Sequence, residues 1–182
     1  MQLAHLFYPI YKPEVFQLRY DDQDKPCVTA TQPGLKGTIA AKVGYKIYVL
    51  ANAAGVQYVG CTRTGMGSRI RMGHMRSQTP KNGYHGYKWL TQPGLQLYVF
   101  TLPEELLALA TASQISHSIL AERIEAELVY AVRAATGHWP LSQHEIHFHN
   151  LTTQPEAGTL TTSIAEAMYA QLGQPEQLPL VP

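Results

Sequence analysis

Two short runs separated by a five-residue connection set the strongest limit on how this chain folds. Tyr45 to Leu50 and Val56 to Cys61 are rich in aromatic and β-branched residues, and ANAAG joins them. Such side chains fit a pleated, half-buried surface, and a connection of this length closes an antiparallel hairpin. TRTGMG follows as an abrupt turn, with Ser68 expected to cap a short helix beginning near Arg69. The polar stretch SQTPKNGYHG reads as a surface loop; Tyr87 to Leu90 and a third strand from Leu95 to Thr101 come after it.

The longest helical pattern runs from Ser113 to Ala135. Ile115, Ile119, Ile124, Leu128, Ala131 and Ala135 recur at steps that keep them near one face, and Gly137 and Pro140 end the run. Glu145 to Phe148 or His149 alternates as a short strand would, and Thr162 to Leu172 reads as a terminal helix. Upstream, short strands are expected near Val15 to Arg19 and Cys27 to Thr31, with DDQDKP as the turn between them. TQPGL occurs at Thr31 and again at Thr91, but the surrounding patterns do not repeat, so these are two similar turns. Together the elements predict an α+β fold, a small antiparallel central sheet flanked by helices. Residues 1–40 are expected to be an extension packing on the core, 41–150 the central domain and 151–182 a C-terminal helix and tail.

A chain of 182 residues with 45% hydrophobic content builds one sizeable core. No secretory pattern or membrane-spanning segment is visible, so an intracellular protein without membrane contact is expected, with Cys27 and Cys61 reduced. The net charge of +1 hides a separation. From Ala41 to Leu90 the chain carries Lys42, Lys46, Arg63, Arg69, Arg71, Arg76, Lys81 and Lys88 and no acid, whereas most of the acidic residues follow Trp89. A concentrated basic segment attracts phosphates even when the far side is acidic. Charge alone is thus compatible with DNA or RNA as partner, with another anionic ligand, and with an ordinary solvated surface.

Lys46-Ile47-Tyr48, then Tyr58-Val59-Gly60, then Arg69, and finally EAELV beginning at Glu125 follow one another in an order that resembles the GIY-YIG nuclease family. The resemblance covers roughly Val43 to His149. Lys46 stands where the family has its first glycine, and one extra residue separates Gly60 from the arginine, which favours Arg69 while leaving Arg71 open. The resemblance implies a GIY-YIG-like fold and a metal-dependent DNA endonuclease, in the manner of a restriction or defence enzyme. Tyr48 would activate water with Tyr58 positioning the phosphate, or the reverse; Arg69 would bind the scissile phosphate, and Glu125 would hold Mg²⁺ or another divalent cation. His74 resembles the family's second basic or proton-transfer position, and Asn150 its late polar residue.

Tyrosine is a poor base at its reference pKa near 10, so the activating phenol needs a cation or hydrogen-bond network, for which Lys46 and His74 are candidates. Glu122 and Glu127 neighbour Glu125 and are explained by an ordinary acidic helix face. A non-catalytic nucleic-acid-binding module would use the same basic surface. In a third reading, Glu145, His147 and His149 share one side of a strand and bind a transition metal. Tyr84, Tyr87 and Trp89 could stack on bases or cover the sheet. A homo-oligomer is compatible with all of these readings.

Overall fold

In the computed structural model, which describes residues 12–20, 26–30, 38–70, 89, 92–149 and 155–172, the expected hairpin forms with a tighter turn than ANAAG suggested. Strand β3 spans Lys46–Asn52 and β4 spans Gly55–Thr62, with Asn52 opposite Gly55. Asn52 accepts hydrogen bonds at its Oδ1 from Ala54 N and Gln57 Nε2, both at 3.0 Å. Gly55 adopts φ +113°, a conformation that side chains with a Cβ avoid.

Strand β5 (Gln96–Thr101) pairs with the other side of β3, and β1 (Glu14–Tyr20) pairs with β5. Strand β2 (Pro26–Ala30) completes an antiparallel sheet of order β2-β1-β5-β3-β4. The early segment thus contributes strands to the central sheet itself.

Because side chains alternate across a strand, the central strand β3 feeds two cores. Ile47 and Val49, with Val59, Tyr98 and Phe100, face a layer of helices. Tyr48 and Leu50, with Phe16, Leu18, Leu97 and Val99, pack on the opposite face against Ala40, Met66, Ile70 and Trp89. Trp89 is fully buried there, so it covers the sheet and cannot stack on an exposed base.

The short helix α1 is Met66–Ser68, with Gly65 at its cap position. Ser68 ends it instead of capping it, and Arg69 continues in helical backbone. Helix α2 (Glu104–Ala112) was absent from the sequence expectation, although Pro103 precedes it and Glu104 and Glu105 occupy its first turn. Helix α3 (His117–Thr136) starts four residues later than the periodicity predicted. Gln114 turns the chain at φ +57°, and the Ser116 side chain then caps α3 by accepting from Ile119 N at 3.3 Å. Gly137 closes it at φ +80°, as expected of the last helical signal.

The buried face of α3 is also rotated from the expected one. It carries Leu120, Ala121, Ile124, Glu125, Ala126, Leu128, Val129 and Val132, while Ala135 is exposed. Helix α4 (Pro155–Ala170) begins well before Thr162 and packs Ile164, Ala165 and Met168 into the helix-side core.

The residues expected to make a strand at 145–149 form no ladder. The chain reaches them after docking on the outer edge of β4: Leu141 N donates to Val56 O at 3.1 Å, Ser142 N to Gln57 O at 2.7 Å, and Val59 N donates to Gln143 Oε1 at 3.0 Å. Residues 148–149 then turn to α3, where Arg123 donates to His149 O at 3.0 Å and Glu122 pairs with the His149 ring. Among the described residues no helix is long and apolar enough to cross a membrane.

Candidate active site

Tyr48 and Gly60 lie opposite each other on β3 and β4. A Cβ at position 60 would stand 2.5 Å from Tyr48 Oη and 2.8 Å from Tyr58 Cε1, so only glycine leaves room for both phenols. The two rings lie 6.0 Å apart between centroids, tilted by 34°. The close approach that glycine permits is thus between side chains of the sheet, not within the turn that follows.

Arg69 reaches this pair from beyond β4 and donates from Nε to Tyr48 Oη at 3.2 Å. Its position is built from the N-terminal strand upward. Glu14 of β1 accepts from Ala40 N at 2.6 Å, which fixes the 3-10 turn Ile39–Ala41. Gly65 packs on that turn so closely that a Cβ would come within 2.5 Å of Ala41 O. Ser68 N and Arg69 N both donate to Gly65 O at 3.0 Å, setting the direction in which the arginine leaves the backbone.

Glu125 comes from α3 on the helix side of the sheet and is 8% exposed. The thiol and the backbone amide of Cys61 donate to its carboxylate. Burial pushes the Glu125 carboxyl above the usual carboxylate range, opposed by the Cys61 hydrogen bonds and by the charges of Arg69 and His147. Burial and the adjacent Glu125 charge push the Cys61 thiol far up, so it stays protonated and is no nucleophile. Arg69 therefore links the two sides of β4, touching Tyr48 on one and acting electrostatically on Glu125 on the other.

The structure groups Tyr48, Tyr58 and Arg69, leaves Glu125 across β4 within electrostatic reach of Arg69, and separates other candidates from them. Lys46 is buried and donates from Nζ to Lys42 O at 2.6 Å and Gly44 O at 2.9 Å, not to either phenol. Burial lowers its pKa against the opposing charge of Glu14. Glu127 pairs with Arg123 and Glu122 with His149, leaving Glu125 as the inward carboxylate of the three.

The alternative Glu145, His147 and His149 metal site is not assembled. His147 lies 3.7 Å from Glu145 at the surface while His149 turns to Glu122, because the strand that would align them is not formed. Among the described residues no three His, Cys, Asp or Glu side chains surround a common metal position. His74, Arg71, Asn150, Tyr84 and Tyr87 lie outside the described residues. The sequence reading missed Cys61 as the partner of Glu125 and His147 as a charge near it. The only sequence signal for Cys61 is that it follows Gly60 and so faces the helices.

Comparison of the chain with protein-family models, with curated proteins and with solved structures found no match.

Proposed function

We propose that this chain is a metal-dependent DNA endonuclease of GIY-YIG type that hydrolyses phosphodiester bonds at Tyr48, Tyr58, Arg69 and Glu125. The observation that carries this reading is that Arg69 bonds Tyr48 beside Tyr58 on one side of β4 and acts on the buried Glu125 carboxylate on the other. The basic segment from Ala41 to Leu90, which includes Tyr48, Tyr58 and Arg69, supports a polyanionic substrate.

In this reading Tyr58, the phenol left partly exposed, takes the proton from the attacking water. Tyr48 is fully buried, and its hydroxyl accepts from Arg69 Nε and so orients the guanidinium. The remaining donors of Arg69 hold the non-bridging phosphate oxygens in a fixed geometry.

Glu125 fits a divalent cation such as Mg²⁺, because a hard carboxylate whose charge is disfavoured by burial is relieved by a cation. Mg²⁺ also commonly takes one or two protein carboxylates and fills its shell with phosphate and water. When bound, the ion supplies neutralisation of the charge that develops on the phosphate and leaving oxygen. End-mapped cleavage of a varied DNA library with and without Mg²⁺, compared between the wild type and Glu125→Gln, tests the reading. Cleavage by the wild type alone supports it, and equal cutting by both proteins removes Glu125 from the mechanism.

One observation favours a second reading. The carboxylate of Glu125 already receives two hydrogen bonds from Cys61 and is almost wholly buried, as a structural carboxyl would be. A module that binds nucleic acid without cutting it would then give salt-dependent binding and no metal-dependent product.

A further inference from the structure

Five large hydrophobic side chains are exposed among the described residues, and four of them, Tyr130, Trp139, Leu141 and Phe148, lie on α3 and the segment after it. Three of these are rings, and Tyr130 makes edge contacts with the other two. Tyr130 meets Trp139 at 5.4 Å between centroids and Phe148 at 5.9 Å, at interplanar angles of 70° and 79°. Tyr130 is 44%, Trp139 37% and Phe148 53% exposed.

Both basic residues that the chain carries after Trp89 sit on this cluster. The guanidinium carbon of Arg123 lies 4.0 Å from the Phe148 ring centroid and that of Arg133 lies 4.1 Å from that of Trp139. Arg123 is paired with Glu127, whereas no carboxylate pairs with Arg133 among the described residues. An exposed, contiguous aromatic patch marks an interaction surface. Its partner should offer flat apolar faces for the rings and negative charge for Arg133, which bases and phosphates provide together. A two-fold contact between copies fits less well, since it sets the patch against itself and brings like charges together.

Tyr130 follows Glu125 by five residues on α3, about 7.5 Å along the axis and roughly 140° around it, so the patch lies on the outer side of the helix while Glu125 faces the sheet. We propose that Tyr130, Trp139 and Phe148 form a stacking platform for a base that has left the duplex stack, with the Arg133 guanidinium on the adjoining phosphate. The platform rests on the nucleic-acid reading above and adds to it a second contact surface for the nucleic acid.

The two tryptophans make a direct test, because Trp89 is fully buried while Trp139 is on the platform. A dT oligonucleotide of about 16 nucleotides is titrated into the full chain at low salt, following tryptophan emission and the anisotropy of a label on the DNA. The wild type should show saturable quenching. Trp139→Leu, with an unchanged circular dichroism spectrum, should lose the quench and bind about tenfold more weakly. Arg133→Gln should also weaken binding and reduce its salt dependence, and it decides the matter alone if Trp139→Leu does not fold.

Tight binding without quenching, unchanged by either substitution, overturns the platform and leaves the nucleic-acid reading standing. Failure of the wild type to bind either dT or duplex DNA removes that reading and the platform with it. A dimer in sedimentation that Trp139→Leu converts to monomer assigns the rings to a second copy and overturns the proposal.

Discussion

The two faces of β3 meet different demands. Toward the helices, Ile47 and Val49 join Val59, Phe100, Ile124, Leu128 and Met168 in an apolar core, although the same layer also holds Glu125 and Cys61. Toward the other layer, Lys46 and Tyr48 are as deeply buried but carry polar ends. Lys46 is satisfied by backbone carbonyls, and the Tyr48 hydroxyl is reached by Arg69. At β3 itself the first face is held by volume and the second by directed bonds. Substitutions of the apolar residues on the first should therefore change stability, and those of the polar residues on the second should change chemistry.

The largest expected effect is on the helix-covered face. Phe100→Ala leaves a cavity in the core and should cost about 3–5 kcal/mol in denaturant unfolding. The cleavage rate of the folded fraction should be close to the wild type, and a rate loss with unchanged stability would break the contrast between the faces.

On the opposite face, Arg69→Lys keeps the charge but misplaces the donors. It should reduce single-turnover cleavage about 10²-fold, roughly 3 kcal/mol in activation free energy, with a smaller change in DNA binding. Near-wild-type turnover at saturating DNA and Mg²⁺ would remove Arg69 from the mechanism, and a large loss in Arg71→Lys would move the role there.

Gly60→Ala sharpens the comparison because it tests both properties at once. Its methyl group would meet the Tyr48 and Tyr58 rings at less than 3 Å, so a buried phenol must shift. A stability loss of about 1–3 kcal/mol is expected from this overpacking, together with reduced cleavage, by thermal melts and kinetics on the same preparation.

The smallest effect has the opposite sign. The folded chain holds the Glu125 carboxyl above its ordinary range, so the native state binds this proton more tightly than the unfolded chain does. That contribution to stability is fully present below the unfolded glutamate pKa and is lost as pH rises through the higher folded value. Glu125→Gln should therefore melt a few degrees above the wild type at neutral pH, where about 2–4 °C corresponds to 1 kcal/mol. The difference should vanish in acid. A lower melting temperature at neutral pH would show that the Cys61 bonds and the Arg69 and His147 charges outweigh burial.

The hairpin, the third strand and the Gly137 stop were legible because each rests on local chemistry: β-branched alternation or a residue tolerant of positive φ. Helix α2 and the start of α3 were not. Ile115 fits the helical spacing but is buried in the connection, and the true boundary is set by Gln114 and the Ser116 cap. The alternation at 145–149 misled in the same way, since a strand also needs a partner, and this stretch follows residues that dock on β4 and ends against α3.

At the candidate site, Tyr48, Tyr58, Arg69 and Glu125 could be picked out by their order in the chain. The hydrogen bonds from Cys61 to Glu125 could not, because they depend on how α3 is rotated over β4. Lys46 illustrates the limit from the other direction, since its residue type suggested a helper for the phenol while its partners lie in the turn before β3.

The segment laid along β4 has a consequence for assembly. Strand β4 ends the sheet, and an uncovered outer strand is a template on which another chain can continue the ladder. Val56 O, Gln57 O and Val59 N are already engaged by residues 141–143, so a neighbouring molecule finds these backbone groups taken. Polymerisation by sheet extension is thereby blocked at this border, and copies of the chain that associate there must do so through side chains.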